Sequence, residues 1–216
     1  MRQMNQYIDH TQLKAEATEA DIRKLCAEAK EYSFFGVCVN SCYVALAKKE
    51  LAGSEVKVVA VVGFPLGAAH TAAKVAEARI AVAEGAEEID MVISIGALKE
   101  GRLDYVLSDI REVVDVAREG GATVKVILET CLLTDDEIRT ACRLAQEAGA
   151  AFVKTSTGFS TAGASIRHVI LMRDTVGDNM QVKASGGIRD IAKAIEMIDA
   201  GADRLGTSAS VDICRK

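Results

Sequence analysis

The sequence predicts a single (β/α)8 barrel, the TIM-barrel architecture, over residues 1–216. Three observations carry that prediction: eight short strand patterns, amphipathic stretches between most of them, and helices that repeatedly end in Gly-Ala just before a strand. The Gly-Ala signature stands in AVAEGAEEIDMVI (81–93), AREGGATVKVIL (117–128), QEAGAAFVK (146–154) and IDAGADRLG (198–206). Glycine supplies the positive-φ residue that ends a helix, and the chain turns at once into the next strand. These units recur at roughly 30 residues or twice that, which is the spacing of βα repeats. A doubly wound open sheet is the alternative. The lack of GxGxxG after the first strand, and the short, evenly repeated strands, weigh against it.

In chain order the first strand is YIDHT (7–11), the weakest of the eight, followed by a helix that starts at the Thr18…Asp21 capping signal. FFGVCVN (34–40) and VKVVAVVGF (56–64) are near-continuous apolar runs, as strands buried on both faces require. EIDMVIS (88–94) and TVKVILET (123–130) each carry two charged residues, Glu88 and Asp90 in one and Lys125 and Glu129 in the other, and Thr134…Glu137 starts the next helix. AFVKTS (151–156), QVKAS (181–185) and DRLGTS (203–208) complete the set.

Composition excludes several function classes. The formal charge of −5 gives no basic footprint for nucleic acid or an anionic membrane. No apolar run approaches the ~20 residues of a membrane span, and the N-terminal MRQMNQYIDH lacks the apolar stretch of a secretory signal. Six cysteines (Cys26, Cys38, Cys42, Cys131, Cys142 and Cys214) fall without CxxC spacing, so free thiols in a reducing cytoplasm are expected. Cys38 and Cys42 have no second pair or nearby histidine, so no metal site is expected. Apolar helix faces serve cores and subunit contacts alike, so a homo-oligomer is compatible with the chain.

Candidate chemistry centres on two lysines inside strands, Lys154 and Lys183, each followed at once by small and hydroxyl residues. Alternation puts Lys154 on one face with Phe152 and Ser156, and Lys183 with Gln181 and Ser185. Consecutive strands are neighbours in a barrel, so the two ammonium groups share its interior and repel. At least one therefore has a lowered pKa, which makes an amine nucleophilic toward a carbonyl. The competing reading makes both lysines rim groups or interior salt-bridge partners, as expected for Lys125 and Glu129 on one face of TVKVILET.

Asp90, flanked by Ile89 and Met91 and sharing a face with Val92, enters the barrel among apolar neighbours. A carboxylate there is costly unless it is paired or working. Beside a lysine it can accept and return protons. Ser185-Gly186-Gly187 and Gly206-Thr207-Ser208 read as a phosphate cradle: their amides can approach an anion closely, and the helices that follow add their dipoles.

Taken together, IDHTQLKAEAT (8–18), VGFPLGAAHTAAK (62–74), EIDMVISIGALKEG (88–101), VKVILET (124–130), FVKTSTGF (152–159), VKASGGIR (182–189) and GTSAS (206–210) resemble the deoxyribose-phosphate aldolase family. The resemblance covers nearly the full length, and FVKTSTGF with VKASGGIR is a highly specific pair. It implies one aldolase domain, a class I mechanism without metal or organic cofactor, and phosphosugar and short-aldehyde ligands. It makes Lys154 the Schiff-base lysine, Lys183 the lysine that lowers its pKa, and Asp90 the proton relay. Gly158, Gly186, Gly187, Gly206 and Ser208 would hold phosphate, with Thr157 and Asp9 also at the substrate and Cys38 near the site. On its residues alone Cys38 reads equally as a small buried hydrophobe. Ala209 stands where the family often has a second serine, which removes one hydroxyl ligand. Two rivals remain open at this stage: another Schiff-base lyase on a different phosphosugar, and a barrel that binds a phosphosugar without reacting.

Overall fold

The computed structural model describes residues 3–215. Eight parallel strands close into one barrel in sequence order, each paired with the next and the last with the first. They are β1 (Ile8–Gln12), β2 (Gly36–Val39), β3 (Lys57–Val62), β4 (Glu88–Val92), β5 (Thr123–Ile127), β6 (Phe152–Lys154), β7 (Gln181–Ser185) and β8 (Arg204–Thr207). All eight predicted strands are present. The helices between them are α1 (Glu19–Glu31), α2 (Val44–Glu50), α3 (Thr71–Ala83), the short α4 (Ile95–Lys99), α5 (Leu103–Glu119), α6 (Asp135–Glu147), α7 (Ile166–Val176) and α8 (Ile191–Asp199). A final short helix, α9 (Ser210–Cys214), follows β8.

Local chemistry explains the boundaries. Both predicted capping boxes are made: the Thr18 and Thr134 hydroxyls accept from the amides of Asp21 and Glu137, whose carboxylates accept in return. The helix-ending glycines Gly85, Gly121, Gly149 and Gly201 have φ of 108°, 79°, 83° and 107°, so the Gly-Ala signature has the backbone cause expected of it. α5 buries Val106, Asp109, Ile110, Val113, Val114 and Ala117, a stripe at helical spacing.

Outward-facing strand residues such as Val37, Val58, Ala60, Ile89, Val126 and Val182 pack beneath the helices as one continuous core. Inward-facing residues differ in kind. One side of the lumen is an apolar cluster of Leu13, Cys38, Val59 and Val61 with Phe64 against it. The other side is ionic. At the N-terminal end, the Arg204 guanidinium carbon lies 3.3 Å from the ring centroid of Phe35 and 5.3 Å from that of Phe152, a cation between two aromatic rings. No helix among the described residues is long and apolar enough to cross a membrane.

Candidate active site

β6 is shorter than its sequence pattern. Its ladder ends at Lys154, and the chain leaves through Ser156 to Gly158, whose φ of 86° turns it out of the sheet. Lys154 thus sits at the C-terminal end of its strand, where barrel enzymes build their sites. Parallel register sets Lys154 beside Lys183 on β7, and Asp90 on β4 beside Lys125 on β5. All four point inward and are buried.

Asp90 joins them. Its Oδ2 accepts from Lys154 Nζ at 2.7 Å and from Lys183 Nζ at 2.8 Å, while Oδ1 accepts from Lys125 Nζ at 2.8 Å. Lys183 also donates to Asp9 Oδ2 at 2.5 Å, and Lys125 pairs with Glu88 at 2.6 Å. Arg204 closes the network from below by donating to Asp9 at 2.9 Å and Glu88 at 3.1 Å. Four cations (Lys125, Lys154, Lys183 and Arg204) face three carboxylates (Asp9, Glu88 and Asp90), one positive charge in excess if all are ionised.

That imbalance falls on Lys154. Burial lowers its pKa, the Lys183 charge lowers it further, and its one bond to Asp90 offsets only part of this. Burial acts on Lys183 in the same direction, but two carboxylates, Asp9 and Asp90, overcome it and raise its pKa well above the usual value. The two lysines are thereby pushed apart, one toward the free amine and one toward permanent charge. Burial would raise Asp90, yet Lys125, Lys154 and Lys183 together hold it well below the carboxylate range. Asp9, buried but facing Lys183, Arg204 and Lys125, falls to about 2.

Several sequence expectations change in detail. Asp90 meets Val61 on β3 but faces three lysine amines on its other side, because strand register lines up Lys125, Lys154 and Lys183 on the consecutive strands β5, β6 and β7. Lys125 is the interior salt-bridge partner expected of it, paired with Glu88 and Asp90, and so a third amine of the cluster. Among the described residues Glu129 pairs with no lysine. Its carboxylate accepts from the Thr157 hydroxyl and from the Thr157 amide at 3.2 Å. Thr157 thus commits its amide and hydroxyl to shaping its loop, the hydroxyl also accepting from the Phe159 amide at 3.1 Å. Asp9 likewise commits its carboxylate within the protein. It is fully buried with both oxygens engaged, and serves as the counter-ion of Lys183 and Arg204. Cys38 lies in the apolar half of the lumen, and burial with the nearby Asp90 charge pushes its thiol up to about 11. It is a neutral wall residue at neutral pH.

The predicted cradle residues do come together. Gly158, Gly186, Gly187, Gly206 and Ser208 line one cleft of about 240 Å³ at the C-terminal end of the barrel. Gly186 (φ 85°) and Gly187 (φ 77°) hold a conformation that other residues rarely adopt, and a Cβ on Gly186 would lie 2.9 Å from Gly163 Cα. The helix dipoles contribute less than the sequence suggests. Asp190 already accepts from the Lys193 amide at the start of α8, and α9 is only one turn long. Lys14 and Arg189 line the same cleft and supply the cationic side chains that sequence reasoning passed over.

Gly206 links the cleft to the amines. A Cβ there would lie 3.0 Å from Ser185 Cβ and 3.1 Å from Lys183 Cε. Gly206→Ala is expected to displace Lys183, lower kcat at least about tenfold, and cost about 1–3 kcal/mol of stability through overpacking. Steady-state kinetics and urea unfolding of the variant check both. A variant with unchanged kcat would show that Lys183 needs no such fixed position.

Comparison with known proteins agrees with this geometry. Residues 3–216 match the DeoC/LacD family aldolase. A Carboxydothermus hydrogenoformans protein named deoxyribose-phosphate aldolase is 61% identical over 210 residues, covering 96% of this chain and 92% of its own. One of that name from Clostridium novyi is 58% identical over 210 residues, covering 97% and 94%. Among solved structures, the deoxyribose phosphate aldolase of Aeropyrum pernix, described as having a unique tetrameric structure, superposes with a TM-score of 0.90 at 36% identity, covering 97% of this chain and 88% of its own. With a closed barrel, a buried lysine cluster and a glycine cleft above it, the chain belongs to the DeoC/LacD family of aldolases.

Proposed function

We propose that the protein is a class I aldolase, one domain spanning the chain, that reversibly cleaves 2-deoxy-D-ribose 5-phosphate to D-glyceraldehyde 3-phosphate and acetaldehyde. The observation that carries this reading is Lys154, a buried amine with lowered proton affinity beside a neighbour that rests protonated. An anion-sized glycine cleft at the same end of the barrel supports a phosphorylated substrate.

In this mechanism neutral Lys154 Nζ attacks C1 of the open-chain sugar. Lys183 supplies the proton with which the carbinolamine expels water, leaving a protonated imine. The C2–C3 bond then breaks: its electron pair flows into the imine, the C3 hydroxyl passes its proton to the now neutral Lys183 amine, and glyceraldehyde 3-phosphate departs. An enamine remains on Lys154. That proton returns to the enamine carbon, and water hydrolyses the resulting imine to acetaldehyde and the free amine. Asp90 is a relay and not a reservoir. Its Oδ2 touches both amines, so a proton passes between them over bonds of 2.7 and 2.8 Å, while its low pKa keeps it from retaining one. Each step moves protons and one electron pair, so the scheme calls for no metal or organic cofactor. Gly158, Gly186, Gly187, Gly206 and Ser208, with Lys14 and Arg189, hold the phosphate.

The assay is release of acetaldehyde and glyceraldehyde 3-phosphate in equal amounts from deoxyribose 5-phosphate. A different carbonyl product, or none, would overturn the assignment. kcat/KM is expected to rise with pH as Lys154 loses its proton, with the midpoint of the acid limb below the ordinary lysine value of 10.5. A limb at or above 10.5 would contradict the lowered pKa. A homo-oligomer and a cytoplasmic location complete the proposal. The first follows the tetrameric Aeropyrum pernix relative, the second a phosphorylated substrate and cysteines that are all free.

A further inference from the structure

His10 follows Asp9 on β1, so alternation turns it out of the barrel, away from the lysine cluster. It is buried there, tilted against the Phe34 ring at a centroid distance of 5.2 Å. Its two nitrogens join different parts of the fold. Nε2 lies 2.9 Å from Glu28 Oε2 on α1, and Nδ1 lies 2.9 Å from Ser210 Oγ at the start of α9. The Glu28 carboxylate draws the ring proton to Nε2, which leaves Nδ1 to accept from the Ser210 hydroxyl.

Ser210 stands at the end of the loop that carries Gly206 and Ser208 into the cleft. Its Oγ also donates to the Thr207 carbonyl at 3.0 Å, the one hydroxyl proton being shared between that oxygen and His10 Nδ1. Thr207 Oγ1 in turn donates to the Ile188 carbonyl at 2.6 Å and accepts from the Ala209 amide at 3.0 Å. A continuous series of contacts therefore runs from Glu28 through His10, Ser210 and Thr207 to Ile188. It ties both cleft loops, 186–189 and 206–209, to α1. Among the described residues, no side-chain hydrogen bond joins this series to the lysine cluster.

We infer that His10 is a positioning residue for the phosphate-holding loops, acting through Ser210. The inference rests on the proposed function for its substrate but not for its geometry. The atom that matters is Nδ1, since it alone reaches the loop. Asparagine at position 10 can accept from Ser210 as Nδ1 does but cannot span to Glu28. Glutamine reaches toward Glu28 and abandons Ser210.

The test compares His10→Asn, His10→Gln and Ser210→Ala with the parent protein. KM for deoxyribose 5-phosphate is expected to rise about five- to tenfold in His10→Gln and Ser210→Ala, the worth of one hydrogen bond, and to stay within about twofold in His10→Asn. With unphosphorylated 2-deoxyribose, kcat and kcat/KM should stay within about twofold for all three. Titration of the protein with inorganic phosphate should weaken in parallel with KM. Equal losses on both substrates, or a defect in His10→Asn as large as in His10→Gln, would overturn the inference. So would parent-like phosphate binding in all three. If the parent itself fails to cleave deoxyribose 5-phosphate, the functional reading fails, while the phosphate titration still decides the role of His10. Ser210→Ala removes a single oxygen, so it keeps the test open should a His10 variant not fold.

Discussion

Replacing Lys154 with leucine is expected to lower kcat/KM at least about 10⁴-fold, because the step that forms the covalent intermediate loses its only nucleophile. The barrel should remain folded. Leucine takes up much of the same volume, and the interior network is left with three carboxylates facing three cations. Asp90 keeps Lys183 on Oδ2 and Lys125 on Oδ1, so no buried charge is orphaned. Melting temperature should therefore be equal to that of the parent or higher. Coupled assay of glyceraldehyde 3-phosphate and a thermal scan check the two halves separately. Residual activity within tenfold of the parent would mean that another amine does the chemistry.

Asp90→Asn should be the most damaging substitution for stability. The carboxylate is buried among three ammonium groups, and the amide removes their common counter-ion without removing their charge. Breaking a buried ion cluster in this way costs about 3–5 kcal/mol, since the remaining charges stay desolvated. Activity should fall at least about 100-fold, because the path between Lys154 and Lys183 loses its relay.

The same groups set the response to acid. The folded pKa values of Asp90 and Asp9 lie below the unfolded value of 3.8, so the native state binds fewer protons there than the unfolded chain. Their contribution to stability is complete above pH 3.8 and fades as pH falls toward the folded values, about 2 for Asp9 and low for Asp90. Urea unfolding of the parent should lose stability below pH 3.8, and Asp90→Asn should show a smaller acid loss. An equal loss in both would place the acid sensitivity elsewhere.

Much of this was legible before the structure. Helix-ending glycines, capping boxes and short strands are local signals, and local signals suffice to count eight βα units. Lys154 and Lys183 stood out because each precedes a glycine-bearing turn. Lys125 did not, although it is as central: no turn follows it, and its importance comes from pairing with Asp90 across β4 and β5, a matter of register. Thr157 and Asp9 were assigned to substrate because they lie in motifs. Only the folded chain shows Glu129 and Lys183 already occupying their polar atoms. The pairing of His10 with Ser210, 200 residues apart, depends on barrel closure and leaves no trace in either local sequence.

The most direct test of the central claim is borohydride reduction in the presence of acetaldehyde, followed by peptide mass spectrometry. A reduced two-carbon adduct on Lys154 alone is the predicted result, since Lys154 is the amine whose charge the barrel disfavours while Lys183 is held protonated. An adduct on Lys183 or Lys125, or none on any lysine while phosphosugar still binds, would contradict the account.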